Sequence, residues 1–540
     1  MTDRESLSLL LVEGAQVCLV IAGLIGLLAG KKIPQSVMST ILLVACLALI
    51  AGSVSVFPGG FTWSAPFPLY LGLAPIENRL DCLSSLFLII LGVVGAAVAV
   101  FSPGYLAHIK ERINLGFYWF CLSLFVIGMA QVILSANAIT FLVFWELMSL
   151  SSVALVASES VRHRAQRSAF IYLGATRIST AFLTAGFIWM HAISQEHWDF
   201  NSWNLRDPQA LIPACLILIG LCIKTGLWPF HLWLPYAHPE APAPVSALMS
   251  GVMVKVAIYA MLRVLIMDDC YNPMIAYTLL GLGVVSAAWG ALFALMQRDL
   301  KVLLAYSTVE NVGLICAGLG LAIFARQAGL TVVADLALAG VFLHIINHAL
   351  FKSLLFLSAG CVDANAHTRD LSLLGGLAKI MPMTLLCFFV GSIASCAMPP
   401  MNGFASKWLL YQSYFQGAIH FDEPAHKAMA LAIVGIMAFV GALSLAAFTK
   451  ALGIAFLGRP RSAMAAKAQE VSSGGMVMAQ AFLAAMCLAS GVMAPLIIGW
   501  LQPVISAGLD RQADLARIFT VPMVPLCLIA VVVAFASYSI

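Results

Sequence analysis

Five cations lie within otherwise apolar stretches of this chain, Arg177, Lys224, Lys255, Lys352 and Lys407, with Glu146, Glu310, His344 and His348 among them. A charge at the centre of a bilayer costs from about 2.5 to more than 10 kcal/mol, so a chain that keeps this many has a use for them. Lysine, glutamate and histidine take up and release protons when burial or a neighbouring charge moves their affinity. The chemistry they point to is proton transfer through a membrane interior. Arginine keeps its proton, so Arg177 reads as a fixed counter-charge rather than a carrier.

The spacing is specific in three places. FLHIINHALFKSLLFLSAG sets His344, His348 and Lys352 at i, i+4 and i+8, one helical face with steps of about 6 Å, which one or two waters bridge. That row reads as a proton wire. A face hydrogen-bonded to neighbouring backbone is the plainer alternative, and a zinc pair lacks an apparent third ligand nearby. Glu146 is the sole charge in AITFLVFWELMSLSSVAL, with hydroxyls one turn beyond it. Near Arg177 or Lys224 it stays ionised and alone it takes a proton, while a purely structural tether to Arg177 is the competing reading.

Lys224 and Lys407 each stand beside a predicted helix break. From Leu221 the helix carrying Lys224 stops at Pro229, passes Pro235, Pro239, Pro242 and Pro244, and resumes as a helix carrying Lys255. Lys407 follows Met398-Pro399-Pro400-Met401-Asn402-Gly403 in the middle of segment 381–418, which predicts two half-helices. Irregular backbone survives at membrane depth only where it is packed in protein or lines water, and broken helices with ionisable groups build ion sites. The alternative is an ordinary loop with snorkelling lysines.

The elements that position these groups are transmembrane helices. Hydrophobic residues make up 62% of the 540 and charged ones 10%, which excludes a soluble domain of this size. Apolar runs long enough to cross a hydrocarbon core of about 30 Å recur throughout. Fifteen are read, near 8–29, 36–57, 80–102, 114–134, 138–158, 168–193, 210–230, 244–266, 274–296, 301–324, 333–361, 381–418, 427–456, 475–500 and 518–539. The expected fold is an all-α polytopic membrane protein of about 14–15 spans. The first run follows Asp3, Arg4 and Glu5 with no small-residue cleavage site, so it is expected to stay as a span. Alternate short loops hold fifteen Lys and Arg against eight in the others, Arg263 being counted among the eight, which places the N-terminus outside an inner, cytoplasmic membrane.

The 13 cysteines are scattered singly through apolar helices with no CxxC pair, and read as small buried hydrophobes. No GxGxxG after a strand and no P-loop occurs. No catalytic, cofactor or metal site is expected in this chain, and a net charge of +4 gives no hint of nucleic acid. Any electrons or ATP that drive it act from a partner.

The motifs FWELMSL, KTGLWPFHLWLPYAHPEAPAPVSALMSGVMVK, QRDLKVLLAYSTVENVG, HIINHALFKSLLFLSAG and PPMNGFASKW resemble those of the proton-conducting antiporter-like subunits. These are shared by respiratory complex I, multi-subunit cation/proton antiporters and membrane-bound hydrogenases. The match covers roughly residues 75–460, and YSTVEN with NHALFKSLLFL looks closest to the hydrogenase-4 and formate hydrogenlyase type. The resemblance implies two inverted five-helix repeats, 114–266 and 274–456, each with a discontinuous helix, between N-terminal helices 1–110 and a C-terminal region 457–540. It implies that Glu146 partners Lys224, that Lys255 is the central lysine of the next helix, and that His344, His348 and Lys352 lead towards the outlet Lys407. Glu310 resembles the second-repeat counterpart of Glu146, and Arg177 fits the hydrogenase-like branch.

The partners it implies are other membrane subunits, a peripheral redox module, the lipid bilayer and protons, with Na⁺ or K⁺ as alternative cargo. The sequence ends at Ile540 without the long lateral helix of the largest complex I member, which leaves stoichiometry open. Alternatives to a redox-coupled pump are a cation/proton antiporter subunit, the proton-conducting partner of a soluble zinc enzyme that captures inorganic carbon, and an inert scaffold.

Overall fold

The computed structural model describes residues 2–32, 34–64, 75–159, 163–266, 272–470 and 473–507. Its described residues include 13 helical stretches long and apolar enough to cross a membrane, and two shorter apolar helices. The expected span at 518–539 lies outside the described residues. The chain divides into two compact units. One comprises Met1–Gly226, Phe230–Asn272 and Ser473–Ala479, the other Leu227–Pro229, Pro273–Ser472 and Gln480–Ile540.

In the first unit α1 (Asp3–Ala29) packs on α2 (Gln35–Val56) and on α4 (Leu115–Leu134), and α2 packs on α3 (Cys82–Ile109). A short antiparallel hairpin, β1 (Phe61–Ser64) with β2 (Glu77–Leu80), sits between α2 and α3, a detail that the all-helical reading lacked. α5 (Ala138–Val156) starts where the Asn137 side chain accepts from the Thr140 amide at 2.8 Å, satisfying a donor that a helix start leaves open. α6 (His163–Ile193) packs on α7 (Leu211–Thr225). At Gly226 the backbone turns left-handed, φ 73°, and an added Cβ would strike Leu234, so glycine ends α7 there.

Beyond a 3₁₀ turn the chain continues as α8 (Leu234–Glu240), α9 (Ala243–Leu248) and α10 (Val254–Ala260). Single π turns, Met249–Met253 and Met261–Ile266, flank α10. The expected break and restart are therefore present. The 244–266 stretch is entirely buried, as an all-round apolar helix in a bundle interior should be.

Arg263 departs from the sequence reading. Counted there as a loop cation, it is 5% exposed and pairs with Asp81 at 2.7 Å, and it also reaches Ser84 and Tyr259 at 3.1 Å. Asp81 caps α3 through the Ser84 amide at 2.9 Å. The helix continues through the π turn, so Arg263 faces the bundle instead of leaving it. Burial by itself would raise the Asp81 carboxyl, but Arg263 and, more weakly, Arg79 hold it well below the usual carboxylate range.

A carboxyl depressed in the folded state contributes stability that is present above its unfolded value of about 3.9 and is lost as pH falls towards the folded one. The wild-type unfolding midpoint is accordingly expected to drop progressively as pH falls below about 5. Asp81→Asn leaves a buried guanidinium without its anion, and is expected to cost about 3 kcal/mol at neutral pH and to flatten that acid limb. Thermal unfolding in detergent across pH checks both; a variant with the wild-type acid limb refutes the assignment.

In the second unit α11 (Pro273–Met296) lies close along α12 (Leu300–Gln327) because small residues meet. A Cβ on Gly290 would collide with the backbone of Glu310, and one on Gly313 with that of Ala287. α12 is buried almost throughout, and packs on α13 (Thr331–Ala366). At 36 residues α13 is about 54 Å long, well beyond one hydrocarbon thickness. The expected run at 381–418 is two helices, α14 (Pro382–Ser395) and α15 (Asn402–His420), separated by the Pro399-Pro400 segment.

α16 (Pro424–Phe456) packs on α11 and α15. A short α17 (Ala463–Ala466) follows. The run read at 475–500 as one span is interrupted, giving α18 (Gly474–Val492) and α19 (Ala494–Ala507). Pro495 lacks an amide for the Gly491 carbonyl and its ring crowds it. A Cβ on Gly491 would strike the Pro400 carbonyl, so this interruption packs on the α14–α15 break.

Candidate functional site: buried ionisable groups in two broken-helix units

In the first unit Lys224 is fully buried one residue before the end of α7. Its Nζ donates to Ser149 Oγ on α5 at 2.8 Å and to the Tyr172 hydroxyl on α6 at 3.4 Å. It also lies over the Trp145 and Tyr172 rings, 5.5 and 5.4 Å from their centres. Tyr172 extends the polar run, meeting Ser152 Oγ at 2.8 Å and Met253 Sδ at 3.2 Å. The Tyr172 ring stacks on Trp233 at 4.7 Å, and Trp233 Nε1 donates to the Ile223 carbonyl at 2.8 Å. The Ile223 carbonyl, which also accepts from the Gly226 amide at 3.2 Å, thus ties the end of α7 to the restarting segment. Lys255 is also fully buried, and its Nζ donates to the Ser250 carbonyl in the preceding π turn.

Glu146 makes the contact to Arg177 that the sequence held open beside a partnership with Lys224. Its carboxylate is bonded to Arg177, and the two side chains are 24% and 44% exposed. Among the described residues Lys224 hydrogen-bonds to hydroxyls, and Glu146 acts on it only through space. The reason is helical phase: Trp145, Ser149 and Ser152 share the buried face of α5, whereas Glu146 falls at its margin beside α6.

In the second unit Glu310, fully buried on α12, pairs with Lys407 on α15 at 3.4 Å. Lys407 Nζ also donates to the carbonyl of Ser395, the last residue of α14, at 2.9 Å. The break supplies that acceptor. His344 and His348 have parallel rings with centres 6.0 Å apart, the step that their spacing predicts. His344 Nδ1 lies 2.9 Å from Ser406 Oγ and Nε2 3.2 Å from Asn311 Oδ1, so its ring links α12, α13 and α15. Lys352, fully buried, donates to the Leu304 carbonyl at 3.2 Å and lies 5.8 Å from the Phe448 ring centre. A cavity of about 300 Å³, lined by Cys396, Lys407, Trp408 and Tyr411 among others, adjoins Lys407 and is large enough for several waters.

The sequence reading missed Tyr172, Asn311, Ser406 and the Ser395 carbonyl as partners of these groups. Asn311 and Ser406 adjoin Glu310 and Lys407 in the sequence, so a polar residue beside each buried charge was an available signal. Tyr172 stands 52 residues from Lys224 and carried none. Among the described residues no cluster of three or more His, Cys, Asp or Glu is arranged to hold a metal ion.

Residues 135–421 match the family model described as NADH:quinone oxidoreductase/Mrp antiporter, TM. The chain is 35% identical over 458 residues to hydrogenase-4 component B of Escherichia coli strain K12, covering 82% of this chain and 66% of that protein. It is 30% identical over 466 residues to formate hydrogenlyase subunit 3 of the same strain, covering 85% of this chain and 73% of that one. A chain of the Mrp complex from Dietzia sp. DQ12-45-1b superposes with a TM-score of 0.78 at 21% identity, over 94% of this chain and 98% of that one. The last likeness bears on the fold alone. This chain belongs to the NADH:quinone oxidoreductase/Mrp antiporter family of transmembrane proteins. It spans just under two thirds of the length of the hydrogenase-4 relative.

Proposed function

We propose that this chain is a proton-translocating membrane subunit of a larger redox complex of the hydrogenase type, with its N-terminus on the outer side of the cytoplasmic membrane. The observation that carries the reading is the setting of Lys224 and Lys352. Both are fully buried beside acceptors that are neutral oxygens, Ser149 and Tyr172 hydroxyls for one and the Leu304 carbonyl for the other. Among the described residues no carboxylate hydrogen-bonds to either ammonium, Glu146 and Glu310 acting on Lys224 and Lys352 only through space, and a hydroxyl both accepts from an ammonium and donates to an amine. Each unit then works as a transfer segment: Lys224 and Lys255 in the first, His344, His348, Lys352 and Lys407 in the second.

Two ion pairs, Glu146 with Arg177 and Glu310 with Lys407, are the elements whose making and breaking biases the lysines. The energies are compatible. Moving one charge against 100 mV costs about 2.3 kcal/mol, and a nearby opposite charge shifts a protonation equilibrium by about 1.4 to 4 kcal/mol. The residue roles, the repeats at 114–266 and 274–456 and the redox partner are parts of this proposal. The hydrogenase-type partner is supported by the two hydrogenase and formate hydrogenlyase relatives.

Sodium/proton exchange is the second reading, favoured by the Mrp part of the family description. Inside-out vesicles holding the native complex separate the two. The expected result is donor-driven acidification equal in sodium-free and sodium-containing media and lost in Lys255→Met with the complex intact. Acidification that requires sodium sinks the proton-only reading. Co-purification with a single soluble zinc enzyme and no iron–sulfur protein removes the redox partner.

A further inference from the structure

The α11–α12 turn, the segment after α13 and the end of α16 enclose a cavity of about 490 Å³ that none of the proton-transfer residues lines. Three cations face it, Arg298, Lys450 and Arg461, with Ser372 beside them and Met296 and Ile454 on its apolar side. No carboxylate lines it. Of the neighbouring carboxylates, Asp299 holds Arg369 at 2.5 Å, and Asp370 accepts from the Ser372 amide and hydroxyl at 2.8 and 2.7 Å while acting on Arg298 only through space. Three like charges around one space repel unless an anion joins them.

The cations are also built in. Lys450 Nζ is anchored on the carbonyls of Leu295 and, at 2.6 Å, Gln297. Arg461 uses Nη1 for its bonds to the Leu374 and Ile454 carbonyls at 2.9 and 2.8 Å, leaving Nη2 and Nε as further donors. Arg298 is exposed, and among the described residues its guanidinium has no hydrogen-bond partner. Two fixed cations and one adjustable fork, set on one side of a space with an apolar wall, match a tetrahedral oxyanion attached to an apolar body.

We infer that this cavity binds the phosphate group of an anionic phospholipid, with the guanidinium groups of Arg298 and Arg461 and the ammonium of Lys450 on the headgroup and Met296 and Ile454 against the start of the acyl chains. A phosphate group is the shared chemistry of a lipid headgroup and free inorganic phosphate. The lipid is the occupant chosen because the cavity lies at the ends of membrane-crossing helices and Met296 is 65% exposed beside the charges. Basic pockets between transmembrane helices near the membrane surface bind such headgroups.

Native mass spectrometry of the detergent-purified chain, titrated with dimyristoyl phosphatidylglycerol or dimyristoyl phosphatidylcholine, tests this. Wild type is expected to retain one phosphatidylglycerol more tightly than any phosphatidylcholine. Arg298→Gln, and separately Lys450→Met, is expected to weaken that retention about fivefold, the factor that about 1 kcal/mol per cation gives at 25 °C. The Arg298 carbonyl accepts from the Leu371 amide at 2.8 Å, a bond that Arg298→Gln keeps, so the unfolding midpoint of that variant should stay at the wild-type value in neutral detergent. Equal retention of the two lipids by wild type, or unchanged phosphatidylglycerol retention in Arg298→Gln, overturns the site. Displacement of the lipid by millimolar inorganic phosphate assigns the cavity to the free anion and overturns the lipid occupant.

Discussion

Vesicles carrying Lys224→Met are expected to lose donor-driven acidification by about tenfold or more while holding the chain at wild-type abundance, since a positioned proton-transfer group contributes roughly 10²–10⁴-fold. Methionine keeps an unbranched apolar stem and removes the ammonium, with its hydrogen bonds and its place over the Trp145 and Tyr172 rings. The loss should be specific to transfer. Tyr172→Phe removes one hydroxyl from the Lys224 shell and leaves Ser149, so a smaller loss is expected there. An inert scaffold predicts the reverse for Lys224→Met, with abundance falling and the flux of the remaining complex unchanged. Acidification per assembled complex decides between them.

Glu310→Gln is expected to lower stability by about 3 kcal/mol, because it leaves the Lys407 ammonium buried with the Ser395 carbonyl as its remaining described partner. Adding Lys407→Met should restore most of that stability, since removing both ends of a buried pair is often neutral where removing one is costly. Proton flux should not return in the double variant. Stability and transport are thereby separated within one cycle. Thermal unfolding in detergent gives the first quantity and vesicle acidification the second. Recovery of flux along with stability would show that the pair is only structural, and the proposed role of Lys407 would fall.

Much of the architecture was legible because two signals are local. Twenty-residue apolar runs mark spans whatever they pack against, and prolines at 229, 399 and 400 mark breaks because proline lacks the amide that a continuing helix needs. The His344–His348 step is local too, since helix geometry sets it. The interruption at Met493 was equally local, with Pro495 as its signal, but the apolar run concealed it. Arg263 was misplaced as a loop cation because nothing in its own segment announces Asp81, 182 residues away.

The sequence by itself determined the membrane-spanning class, the two helix breaks and which side chains are costly enough to be functional. Only the tertiary structure decided their partners: Glu146 with Arg177, Lys224 with Ser149 and Tyr172, Glu310 with Lys407. The reason is that cost depends on a residue's own chemistry and its depth, both readable along the chain. A partner depends on helical phase and on which helix lies alongside, and these arise only when all the helices pack together.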